Sequence, residues 1–252
     1  MTTISIDKPD SAAADTAAQS RDPVLQASAL HRTLGNQAAV TDISLNLARG
    51  DVLGLLGLNG AGKSTTLRML CGMLVPDSGQ VTVNGYSMSE EPLQARAQIG
   101  FLPDQPPLYD DMRVREYLQL CAQIRKLKGA RLAARMSAVI DQCALGDVQN
   151  KLIAALSKGY RQRVGLAQAI IHQPAILLLD EPSNGLDPQQ LDAMRELIRH
   201  YAEDNAVILS THQLSEAQSI CNRIAIIHAG KLVADKPADG AELDALFRGA
   251  IS

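Results

Sequence analysis

An α/β fold with a mixed sheet, an antiparallel β region and an inserted α-helical subdomain is predicted by three observations. Val52–Leu56 is a continuous apolar run that ends in Gly57 and passes through a glycine-rich turn into a helical pattern, as expected of a strand buried on both faces of a sheet. A second apolar run, residues 175–179, ends in the acidic pair Asp180-Glu181. Between them, residues 112–145 change character and read as almost wholly helical.

The elements follow in order. From Val24 short apolar runs alternate with turn signals. Residues 64–74 read as a helix, with Leu67, Leu70, Cys71 and Leu74 at three- and four-residue spacing, closed by Pro76-Asp77-Ser78-Gly79. Residues 80–83 and Asn84-Gly85 read as a strand and a turn. In the helical stretch Val114, Tyr117, Leu118 and Cys121 mark one face, and Leu132, Met136, Val139 and Ile140 another. Residues 175–179, 206–209 and 223–227 are three further short strands separated by helices. Residues 1–23 are rich in Ala, Ser, Thr and Asp, have no basic start followed by an apolar core, and read as a disordered leader. The folded domain is expected at 24–240, with the helical subdomain at about 104–156, and 241–252 form a tail compatible with a helix.

Composition narrows the function classes. A chain of 252 residues, 46% hydrophobic, is long enough to bury an α/β core. A formal net charge of -3 and a pI near 5.9 supply no overall pull toward nucleic acid or anionic lipid. The apolar runs are far shorter than the roughly 20 residues of a membrane span. Cys71, Cys121, Cys143 and Cys221 form no CxxC pair and read as packing residues.

Gly57-Leu58-Asn59-Gly60-Ala61-Gly62-Lys63-Ser64 matches G-x-x-x-x-G-K-S between a buried strand and a helix. Glycines there let backbone N–H groups of Asn59, Gly60, Ala61 and Gly62 converge on phosphate oxygens, and the helix N-terminus adds positive potential. Lys63 would reach the β- and γ-phosphates, Ser64 would hold Mg²⁺, and Thr65 would touch the α-phosphate region. Four aliphatic residues carry Asp180 to the carboxyl edge of the sheet, beside that loop, where it would hold the Mg²⁺ shell. Glu181 would polarise a water for in-line attack on the γ-phosphate. A guanine-reading Asn-Lys-x-Asp is absent, and the nearest string, Asn150-Lys151-Leu152-Ile153, fails at Ile153. That argues against a small GTPase.

With Leu156-Ser157-Lys158-Gly159-Tyr160 added, the chain resembles the nucleotide-binding subunit of an ATP-binding-cassette (ABC) transporter from Val24 to about Gly240. The resemblance implies a P-loop NTPase (RecA-like) core. It also implies two subunits that clamp two ATP molecules head to tail, so that Ser157 and Gly159 act on the partner's nucleotide. By their own chemistry, Ser157 and the free N–H groups of the helix beginning near Gly159 make an anion site, although an ordinary Ser N-cap accounts for Ser157 alone equally well. Asn184-Gly185-Leu186-Asp187 matches the family's dimer-contact loop, and His212 after Ser210-Thr211 matches its switch histidine.

Three departures stand out. Leu34 occupies the place where an aromatic ring usually stacks on adenine. Asp104, with Gln105 as the register-slip alternative, stands where a Gln usually ligates Mg²⁺. The signature reads Leu-Ser-Lys-Gly-Tyr in place of Leu-Ser-Gly-Gly-Gln, and the run Lys158-Gly159-Tyr160-Arg161-Gln162-Arg163 resembles the bacterial ABC-2 branch, commonly exporters. The resemblance further implies ATP and Mg²⁺ as ligands, a second ABC subunit and membrane permease subunits as partners, and a peripheral place on the cytoplasmic face of the inner membrane. Residues 105–109, Gln-Pro-Pro-Leu-Tyr, are the expected permease contact. A cassette ATPase acting on a ribosome or nucleic-acid complex is the alternative. Such relatives usually join two cassettes or carry coiled coils and basic patches, which this sequence lacks.

Overall fold

The computed structural model describes residues 22–251. The expected leader therefore lies outside the described residues, apart from Asp22 and Pro23. β1 (Leu25–Leu34) and β2 (Gln37–Leu47) form an antiparallel pair that β4 (Ser78–Val83) and β5 (Tyr86–Ser87) extend into a four-stranded sheet of order β2-β1-β4-β5. The second sheet contains β3 (Val52–Leu56), β6 (Ile99–Leu102), β7 (Ile176–Asp180), β8 (Ala206–Thr211), β9 (Arg223–His228) and β10 (Lys231–Pro237). Its order is β10-β9-β3-β8-β7-β6, parallel throughout except for the antiparallel β9/β10 edge.

Alternation along the strands divides the core in two. Leu53 and Leu55 of β3, with Ile176 and Leu178 of β7, face one apolar cluster that includes Leu67 and Leu70 and the antiparallel sheet. Val52 and Leu56, with Leu177 and Leu179, face the other cluster, which includes Met194, Ile198 and the helical region. Because successive strand side chains point to opposite faces, an uninterrupted apolar run is what a strand sandwiched between two cores requires.

α1 (Lys63–Leu70) ends four residues before the expected Leu74. Gly72, at φ 70°, takes the left-handed conformation that terminates helices, and its N–H turns back to Met69 O at 3.0 Å. A Cβ at Gly72 would also lie 2.5 Å from Met88 Sδ. The turn leads through β4 and β5 to the short α2 (Pro92–Ala97) before β6.

Between β6 and β7 lie α3 (Val114–Ile124), α4 (Gly129–Gln142), two short 3₁₀ turns and α5 (Lys158–Ile170). α3 buries Val114, Tyr117, Leu118 and Ala122, and α4 buries Met136, Val139 and Ile140. Lys126, at φ 63°, breaks the chain between them. α6 (Pro188–Ala202) precedes β8, α7 (Leu214–Ile220) follows it, and α8 (Leu243–Ile251) packs on β9 and β10. Among the described residues no helix is long and apolar enough to cross a membrane.

Candidate nucleotide site

β3 delivers Gly57 to the carboxyl edge of the sheet, where the chain passes so close to β9 that a Cβ would lie 2.3 Å from Ile227 O. Only glycine fits there. Gly62, at φ 108°, is the N-cap of α1 and lies against Ala39 O. The loop therefore opens directly onto the N-terminus of α1, where free N–H groups and the helix dipole favour an anion. Lys63 is 4% exposed, and its ammonium donates to Gly57 O at 2.8 Å and Leu58 O at 3.1 Å. Burial lowers its pKa from the ordinary value, opposed by the nearby Glu181 and Asp180 charges.

β7 brings Asp180 and Glu181 alongside. Asp180, 4% exposed, accepts from Ser64 Oγ at 2.9 Å and from Ser210 Oγ at 2.7 Å, both at Oδ1. Glu181 has a left-handed φ of 47°, strained for a residue with a side chain, and its N–H donates to Ser210 Oγ at 2.9 Å. Its carboxylate lies between Lys63 Nζ, 3.8 Å from Oε1, and His212 Nδ1, 3.4 Å from Oε2. Ser210 thus aligns both acidic residues, a role not assigned from the sequence although it sits directly before the Thr211-His212 pair.

A cleft of about 340 Å³ is walled by Leu34, Asn59, Gly60, Lys63, Ser64 and Glu181, among others. Gly62 and Thr65 share it, while Ala61 is buried behind the loop, its N–H donating to Leu58 O at 3.1 Å. Leu34, at the end of β1, is 46% exposed and stands beside Gln37, Ala38 and Ala39. Neither Ser157 nor Gly159 walls this cleft.

Ser157 is exposed and caps α5, accepting from Tyr160 N at 3.5 Å, a long contact that holds the hydroxyl loosely. Gly159 is buried beneath Gln190 of α6, where a Cβ would lie 2.4 Å from Gln190 Oε1. In return Lys158 lies over Gly185, with Nζ 2.4 Å from where a Cβ would be. The start of α5 and the loop 183–187 are therefore clasped together within one chain. Asp187 caps α6, accepting from Gln190 N at 2.9 Å. Asp104 accepts from Asn184 Nδ2 at 3.1 Å, so this acidic residue is engaged by the same loop; Gln105 is exposed.

The ABC transporter family model matches residues 40–184. The bacitracin transport ATP-binding protein of Bacillus licheniformis is 35% identical over 218 residues, 86% of this chain and 70% of that protein. The Nod factor export ATP-binding protein I of Ralstonia nicotianae is 35% identical over 213 residues, 84% of this chain and 66% of that protein. The solved structure of an ATP-binding subunit of an ABC transporter superposes with a TM-score of 0.81 at 30% identity, covering 91% of this chain and 100% of that one. With Lys63 and Glu181 walling one cleft, Asp180 held against Ser64 beside it and His212 3.4 Å from the Glu181 carboxylate, the chain belongs to the ABC transporter family, as one of its ATP-hydrolysing subunits.

Proposed function

We propose that two copies of this chain, or this chain and a similar subunit, close on two ATP molecules and drive export through a separate permease. The observation that carries this reading is the separation of the site into two parts. Lys63, Ser64 and Glu181 wall the cleft, whereas Ser157 and Gly159 lie outside it, and Ser157 is exposed. An exposed helix N-terminus with a loosely held hydroxyl is suited to the γ-phosphate in another subunit's cleft.

Ser64 Oγ and Asp180 Oδ1 lie 2.9 Å apart, two hard oxygens converging at the phosphate loop, and fit Mg²⁺. Bound there, the ion would neutralise charge on the β- and γ-phosphates. Lys63 binds the same oxygens, and leaving its loop carbonyls for them is part of nucleotide entry. Glu181 orients the attacking water and accepts its proton, while His212 senses the γ-phosphate across the Glu181 carboxylate. Closure supplies the partner's Ser157 and Gly159 and excludes water, completing the electrostatic stabilisation of the nucleotide they face.

Export and the membrane partner rest on the relatives named for bacitracin transport and Nod factor export. The loop before α3 supplies a contact surface for a permease at the cytoplasmic face of the membrane. Tyr109 is 55% exposed, with its ring edge-on to Tyr117 at 5.9 Å, while Leu108 is partly buried against the core. Tyr109 is therefore the better docking residue of the two.

Glu181→Gln is the decisive variant. With ATP and Mg²⁺ it should elute as a stable dimer in size-exclusion chromatography, with turnover down ~10²-fold or more, the range for loss of a general base. A monomer under those conditions, or wild-type turnover, would refute the reading. Co-purification with an integral membrane protein, as opposed to RNA or DNA, tests the partner.

A further inference from the structure

Glu181 is a wall of two cavities. One is the nucleotide cleft; the other, of about 270 Å³, is bounded by Ser183, Gly185, Arg195, His212 and Glu216 as well. Three side-chain atoms of its lining have no protein hydrogen-bond partner among the described residues: Ser183 Oγ, Arg195 Nε and Glu216 Oε1. They belong to the turn after β7, to α6 and to α7.

Glu216 is 9% exposed, and a buried carboxylate oxygen without a partner is costly. Its other oxygen, Oε2, accepts from the Thr211 hydroxyl, and Thr211 Oγ1 accepts from Gln213 N at 3.1 Å. The carboxylate thus braces the turn Thr211-His212-Gln213 from which His212 faces Glu181. Arg195 lies two turns along α6 from its cap, Asp187, and its Nη1 donates to Asp192 on the surface while Nε is buried without a protein partner. A guanidinium and a carboxylate that wall one polar chamber, each with a buried atom lacking a protein partner, complement each other in charge. Two carboxylates, Glu181 and Glu216, oppose occupation by a cleaved phosphate.

We propose that Arg195 and Glu216, coupled by charge across this chamber, are positioning residues that link the dimer-contact loop 183–187 to the turn carrying His212. The proposal rests on the reading of His212 as the γ-phosphate sensor. Seating of the loop on a partner subunit fixes the start of α6, Arg195 carries that position to Glu216, and Glu216 sets the aim of His212. The far ends of α6 and α7 are tied independently, by Arg199 Nη2 donating to Ser219 O at 2.6 Å, so loss of Arg195 leaves the helices docked.

The test is steady-state ATPase of the full-length chain carrying Arg195→Met, Glu216→Gln, the double change, or His212→Ala, with nucleotide affinity and melting temperature measured alongside. Glu216→Gln keeps an oxygen for Thr211 and removes the charge beside the chamber, so the fold survives even where Glu216→Ala does not. Each single change should lower kcat ~10-fold with KM for ATP within about twofold, and the double change should be no worse than the poorer single one. Asp192→Asn, which removes only the surface pair, should leave kcat unchanged. Wild-type kcat in both single variants, additive losses, or a change in KM alone would overturn the chain of contacts while His212→Ala remains impaired. Full activity of His212→Ala would instead remove the sensor reading beneath it. Weaker inhibition by inorganic phosphate in Arg195→Met would make the chamber a phosphate site and overturn the proposal.

Discussion

The two ends of the catalytic apparatus are built differently. At the phosphate loop, Lys63 and Asp180 are each only 4% exposed and each makes two hydrogen bonds within the chain, and Ser210 fixes both Asp180 and Glu181. At the start of α5, Ser157 is exposed and its hydroxyl makes one long contact to Tyr160 N. The first end is preorganised before any partner arrives; at the second, Ser157 is presented outward while Gly159 is buried beneath Gln190. On the proposed reading, nucleotide binding is a property of one chain, whereas turnover is a property of a pair.

The largest expected effect sharpens this contrast. Lys63→Ala should abolish measurable ATP binding to the isolated chain. Ser157→Arg should leave that binding within about twofold and lower turnover ~10²-fold, the scale for losing a transition-state anion donor. Equal loss of binding in both variants, read by fluorescent-nucleotide titration, would erase the distinction. A smaller effect belongs to Leu34, which borders the cleft within the chain and offers no π face. Leu34→Tyr should tighten ATP binding by about 1 kcal/mol, roughly fivefold, in calorimetric titration of the monomer. Tightening that needs dimer formation would place Leu34 on the wrong side of the comparison.

The smallest effect concerns the inner end of α5, opposite its exposed N-terminus. His172, just past that helix, meets Ile99 O through Nε2 at 3.0 Å, and burial, with Arg125 and Arg135 adding to it, lowers its pKa from 6.5 to about 4. The folded chain then binds fewer protons than the unfolded one between those pH values. Stability is full above pH 6.5 and falls as pH drops toward 4, by up to about 1 kcal/mol per unit. His172→Gln should flatten the melting temperature over that window; an unchanged slope would show that other groups set it.

What was legible in the sequence follows the same division. Val52–Leu56 could be read because sandwiching between two cores demands a continuous apolar run, and the α/β class followed from it. The second buried strand was legible with a one-residue offset, since Asp180 itself continues the ladder opposite Ser210. The end of α1 was misplaced because Leu74 keeps the helical spacing while Gly72 has already turned the backbone. β1 and β2 were not delimited, as bulges between Ala27 and Thr33 break their alternation. The contacts of Asp104 with Asn184 and of Lys158 with Gly185 join residues far apart in sequence and leave no local pattern. Glu216 reads as an ordinary polar residue of a short helix. Only its burial, with one oxygen on Thr211 and the other without a protein partner, distinguishes it.

Subunit mixing tests the division most directly. Lys63→Ala chains have a damaged cleft and an intact Ser157, while Ser157→Arg chains have the reverse, and each alone should be nearly inactive. If Ser157 serves the opposite subunit's nucleotide, equal mixing should restore about a quarter of the wild-type ATPase, because random pairing places one intact site in half of the dimers. If mixing restores nothing while size-exclusion chromatography shows that mixed dimers form, Ser157 serves its own chain's cleft and the account is contradicted.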